Sequence, residues 1–334
     1  MRFCRILLLL AVIFVPGASA YGQSKTLGKI VSNGPEFDAL VPKGTVIEML
    51  AEGKFKWAEG PVWSKEHKAV LFSDIPRNKI WCWCESKGLE TYLENSGYTG
   101  SAPFTGKEPG SNGLAIDAKG KLIMCQHGER RLATYDGKKV ENLVDKYMGK
   151  RFNSPNDLTI MSNGDIYFTD PPYGLPKGMD DPAKELDFQG VYRLSAKGEL
   201  TLLTKELTRP NGICLSPDEK TLYVANSDPE VAVWMAFPVK EDGTLGKGKV
   251  FFDSTKWVKN SNPGLPDGMK IDKSGNLWAT GPGGLWVFNS KGEHLGTLAT
   301  GVPTANCNWG DDGSTLYITA NDNLVRVKTK TKGW

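Results

Sequence analysis

IMSNGDIYFT, residues 160–169, places an apolar pair, a tight polar turn and a strand-forming segment within ten residues. Ser162, Asn163 and Gly164 supply the dihedrals of a hairpin turn, while Ile166, Tyr167, Phe168 and Thr169 are of the β-branched and aromatic types that favour a strand. The arrangement recurs as WSKEHKAVLFSD from Trp63, IDAKGKLIMC from Ile116, LSPDEKTLYVA from Leu215, IDKSGNLWAT from Ile271 and WGDDGSTLYIT from Trp309. Six copies at intervals of about 40–55 residues, with short strands such as KIWCWC, GVYRLS and GLWVFN between them, predict a β-propeller with about four strands per unit. The expected fold is all-β, a six-bladed β-propeller with a metal site in the central channel. Its closing blade is expected to join an N-terminal strand to the last C-terminal ones, which removes two free sheet edges. Two segments stay open: ENLVDKYMG (141–149) suits a helical turn or a strand with a loop, and residues 21–42 suit the base or the rim.

The chain of 334 residues begins with Arg2 and Arg5, the apolar run ILLLLAVIFVPG and the small residues Ala18, Ser19 and Ala20. That is the pattern of a cleaved secretory leader over residues 1–20, so residues 21–334 are expected to form one propeller domain in the periplasm or outside the cell. The whole chain carries 41 Lys+Arg against 38 Asp+Glu. Removing Arg2 and Arg5 leaves 39 against 38, a balance that argues against a nucleic-acid partner. No later run approaches the roughly 18 apolar residues of a membrane span, and no obligate protein partner is evident. Without Cys4, five cysteines remain: Cys82, Cys84, Cys125, Cys214 and Cys307. An odd number leaves at least one thiol free, and the lone C-x-C of Cys82 and Cys84 reads better as strand cysteines than as a zinc site.

The chemistry stands just ahead of each hairpin. AEGPVW carries Glu59, GSNGLAID carries Asn112, SPNDLTI carries Asn156, RPNGICLS carries Asn211 and LPDGMKID carries Asp267, all in one phase of the repeat. Any one of these Asn-Gly or Asp-Gly pairs is an ordinary turn. Five in phase around a propeller axis converge, giving two carboxylates and several amide oxygens, a hard-oxygen set suited to Ca²⁺ and also to Mg²⁺, Mn²⁺ or Zn²⁺. Asn112 has a second reading, as a residue facing substrate.

The segments EGPVW, SPNDL, GDIYFTDPPYG, RPNGICLSPDEKTLYVANS, PDGMKID and GNLWATGPGGLWVF resemble the gluconolactonase branch of the senescence marker protein (regucalcin) family of six-bladed propellers, over roughly residues 45–325. The resemblance implies a divalent metal held by Glu59, Asn211 and Asp267, with Asn156 approaching it, and hydrolysis of a sugar lactone. Asp267 is the first choice for the base that takes a proton from the attacking water, with its acidity sustained by the cation. His127 in CQHGERRL is a second catalytic candidate by its titration range, with a structural role as its alternative. Arg131, with Arg130, and Tyr173 are candidates for substrate contact. Asp157 and Asp170 are expected to orient the asparagines, and Trp57 and Trp63 to lie near the site. The competing functions are hydrolysis of phosphotriesters or other esters on the same metal, and a binding propeller with structural calcium.

Overall fold

The structure, a computed structural model, describes residues 25–260 and 262–334. The leader expected over residues 1–20 lies outside them. Each of the six hairpins seen in the sequence forms and opens an antiparallel sheet, which in the first four blades has four strands in simple succession. In the first hairpin quoted, Gly164 adopts φ +90° at the turn, a conformation open to glycine at no steric cost. Gly120 and Gly275 do the same in two of its counterparts, where Asp117 and Asp272 also each accept two backbone N–H groups of their own turn.

The first strands of the six blades are Ala58–Ser64, Ser111–Ile116, Leu158–Ile160, Pro210–Leu215, Met269–Ile271 and Thr304–Gly310. Each touches the first strand of the next blade, and the last touches the first, which closes the ring. Between blades the core is apolar and aromatic: Trp234, Trp286 and Phe288 pack together between the fourth and fifth blades, and Phe152, Phe168 and Tyr192 fill the third. Strands that bury both faces need such continuous apolar sequence, as in AVLF (69–72), where every residue is buried.

The sixth blade is completed by Glu48–Glu52, which pairs with Asn323–Lys328, so the ring closes through its N-terminal strand as expected. The ion pair of Arg326 with Glu48 at 2.7 Å spans the same joint. Preceding it, Lys29–Ser32 adds a fifth, outermost strand to the fifth blade, and the short helix Pro35–Leu40 buries Phe37 beside it. Residues 141–149 resolve as strand: Val140–Val144 ends the second blade and Lys146–Tyr147 pairs with Lys150–Arg151. The five cysteines among the described residues are all free thiols. No helix among the described residues is long and apolar enough to cross a membrane.

Candidate active site

The residues ahead of the hairpins are brought together by the way successive blades lock. A buried hydroxyl on the second strand of one blade donates to a main-chain carbonyl on the first strand of the next. Ser73 Oγ reaches the Asn112 carbonyl at 2.8 Å, Thr169 Oγ1 the Asn211 carbonyl at 2.7 Å and Thr280 Oγ1 the Ala305 carbonyl at 2.9 Å. Ser227 Oγ donates to the Pro266 carbonyl, just ahead of the first strand of the fifth blade. With their backbones fixed from behind, the side chains of these positions point inward.

The glycine that follows several of them is set by this close approach. A Cβ on Gly60 would lie 2.2 Å from the Asn112 carbonyl oxygen, and one on Gly212 would lie 2.1 Å from that of Asp267. The Asn-Gly pairs that look like turns in the sequence are therefore inner-strand residues, with glycine chosen for packing against the next blade.

Glu59, Asn112, Asn156, Asn211 and Asp267 all line one cavity of about 520 Å³ at one end of the channel. Trp57, Glu108, Tyr173, Arg209 and Ser227 share its wall. Asn211 donates its amide to Ser227 Oγ at 2.9 Å, which leaves its carbonyl oxygen for the cavity. Asn156 is aimed by its loop. Asp170 accepts the N–H groups of Asn153 and Ser154, both at 2.8 Å, and Asn153 donates to the carbonyls of Asp170 and Phe188. Asp170 thus ties down the loop that leads to Asn156, and burial pushes its carboxyl up to about 7.

The electrostatics are those of buried acids without enough counter-charge. Burial, with the charge of Asp157 adding to it, pushes Glu59 up to about 8, against the Gly60 N–H that supports its ionised form at 2.7 Å. Asp267 is raised well above the carboxylate range by burial and then by the charge of Glu59. Its Oδ1 and the Oδ1 of Asn112 are buried without a hydrogen-bond partner. The Tyr173 hydroxyl is raised by burial and by Asp267. Among the described residues no three His, Cys, Asp or Glu side chains gather as a metal group. The donor set that could hold a cation is therefore mixed, Glu59 and Asp267 with the amide oxygens of Asn156 and Asn211. Unpaired buried oxygens and mutually repelling carboxylates fit a hard divalent cation, which would satisfy both.

Several sequence expectations are corrected. Arg131 does not line this cavity, because its guanidinium is held by Gln126 Oε1 at 2.5 Å. Arg130 turns away as well, donating to the carbonyls of Phe152 and Ala183. The arginine on the wall is Arg209, two residues before Asn211 in RPNG. His127 is fully buried behind the wall, in a second cavity with Arg130 and Gly174, and reaches the first only through Glu108. Trp57 lines the site, whereas Trp63 lines a different cavity and stacks on Tyr317 at 5.7 Å. Glu108 had no signal in the sequence, since its loop SAPFTGKEPG stands outside the repeat.

A family model described as the SMP-30/Gluconolactonase/LRE-like region matches residues 57–322. The gluconolactonase of Zymomonas mobilis is 42% identical over 93% of this chain and 89% of its own. The solved structure of a gluconolactonase from Xanthomonas campestris superposes with a TM-score of 0.79 at 30% identity, covering 92% of this chain and 98% of that one. A calcium-binding regucalcin from Agrobacterium tumefaciens shares the fold, with a TM-score of 0.66 at 20% identity over 86% of this chain and 94% of its own.

Proposed function

Because the chain belongs to the SMP-30/gluconolactonase/LRE-like family, we propose that it is a metal-dependent hydrolase that opens a sugar lactone to the aldonic acid. The observation that carries this reading is the convergence of Glu59, Asn156, Asn211 and Asp267 on one cavity, with Asp267 Oδ1 buried and unpaired. The activity of the Zymomonas relative, 42% identical over nearly the whole chain, names the substrate class.

Glu59, Asn156, Asn211 and Asp267 would hold the cation, Ca²⁺ first by donor type. When bound, a divalent cation supplies Lewis-acid polarisation of an ester carbonyl and offsets negative charge developing on its oxygen. The chain's own groups do the rest. Asp267 accepts the proton of the attacking water, its ionised form restored once the charge of Glu59 is compensated. The water oxygen bonds to the carbonyl carbon, the ring C–O bond breaks, and the proton held by Asp267 passes to the departing ring oxygen. Asn112 and Tyr173 line the same cavity and would border the lactone.

Asp267→Asn tests the assignment. It is expected to abolish turnover while circular dichroism and the thermal transition report an intact fold. Activity retained in that variant would take Asp267 out of the reaction. The leader pattern of residues 1–20 further supports a periplasmic or secreted enzyme, and the protein recovered outside the cytoplasm is expected to begin at Tyr21 by N-terminal sequencing.

A further inference from the structure

The cavity carries a carboxylate that this reaction leaves unused. Glu108 lines the wall with its side chain 32% exposed, and its Oε2 lies 2.9 Å from Nδ1 of His127. A carboxylate has no proton to give, so Nδ1 bears the hydrogen and donates it. In the neutral ring the lone pair is then on Nε2, which is buried with no hydrogen-bond partner. His127 therefore bears on the cavity through Nδ1 and Glu108.

The ring is also confined. A Cβ on Gly174 would come within 2.6 Å of His127 Cβ, so the loop carrying Tyr173 lies directly on the histidine. The histidine backbone is tied down too, its N–H donating to the Gly110 carbonyl at 3.0 Å. His127 is thus a fixed post, and its effect on the cavity is to hold one oxygen of Glu108 and so fix that carboxylate on the wall. Glu108 stands near enough to Glu59, Asp267 and Tyr173 for its charge to bear on all three.

A third carboxylate in a cavity already holding two repels anions and accepts hydrogen bonds from neutral donors. On a lactone those donors are the ring hydroxyls. Resting on the lactonase reading above, we propose that Glu108, positioned by His127, recognises the hydroxyls of the substrate and selects polyhydroxylated lactones over the bare ring. Glu108 is a specificity-determining residue and His127 a positioning residue that acts through it.

The test compares glucono-1,5-lactone with δ-valerolactone, which has the same six-membered ring and no hydroxyls. Wild-type activity is measured first, and failure on every lactone would contradict the lactonase reading itself. Glu108→Gln is expected to raise KM for gluconolactone about 10- to 100-fold, the worth of a charge-assisted hydrogen bond, with kcat little changed. Its kcat/KM on δ-valerolactone is expected to stay within about twofold of wild type. His127→Ala is expected to show the same KM effect more weakly, and the double variant to be no worse than Glu108→Gln alone. Equal losses on both lactones, a fall in kcat alone, or additive effects of the two substitutions would overturn the proposal. Should the bare ring not be turned over, the split between KM and kcat on gluconolactone decides the matter.

Discussion

Asn306 donates its amide to Asp157 across the channel, Nδ2 to Oδ2 at 3.2 Å, joining residues 149 positions apart on the sixth and third blades. Both occupy the inner-strand position that is Gly60, Gly113, Gly212 and Gly268 in the other four blades. The same Asn306 amide favours the ionised form of Glu59. Replacing it with alanine strands a buried acceptor, and the loss is expected to be about 1–3 kcal/mol. Equilibrium denaturation in urea of Asn306→Ala checks this, and an unchanged midpoint would mean that water replaces the amide.

Gly60→Ala probes the lock between blades. Gly60 has φ +49°, and its new Cβ would meet the main-chain oxygen of Asn112, which no side-chain rotation relieves. The variant is expected to lose more than about 1 kcal/mol of stability and most of its turnover, because the bulge that presents Glu59 must shift. A thermal melt and a lactone assay on the same preparation test both parts, and wild-type values in both would show that the inner strand yields freely.

The buried acids predict how metal-free protein responds to pH. Glu59 rises from the ordinary 4.5 to about 8 on folding, and Asp170 from 3.8 to about 7, both through burial. A folded state that keeps protons the unfolded chain has lost is favoured at low pH. This contribution is complete below the unfolded values and is lost as pH rises toward about 7–8. In chelator the melting temperature is therefore expected to fall between about pH 5 and pH 8, and added Ca²⁺ to flatten the fall by favouring the ionised carboxylates. A melting temperature that climbs over this interval in chelator would contradict the assignment.

The blade pattern was legible because strand and turn chemistry is local: Asp117, Gly164 and Asp272 set their hairpins with groups a few residues away. The inward phase of Glu59, Asn112, Asn156, Asn211 and Asp267 was legible too, since a period carries position around an axis. Contacts made by residues outside the repeat were not. Glu108 comes from an irregular loop, and Asn306 is one residue later in its blade than the five, where the in-phase position is Ala305. Arg131 resembled a substrate ligand by neighbourhood alone, and its partner Gln126 lies across a strand pair that sequence spacing does not reveal.

Acid release from glucono-1,5-lactone in weak buffer, corrected for spontaneous hydrolysis, tests the central claim most directly when wild-type protein is stripped with chelator and then given Ca²⁺, Mg²⁺, Mn²⁺ or Zn²⁺ in turn. The account predicts little release from the stripped protein and restoration by at least one of these ions. Full activity in the stripped protein, or none with any ion in protein shown by calorimetry to bind it, would contradict it.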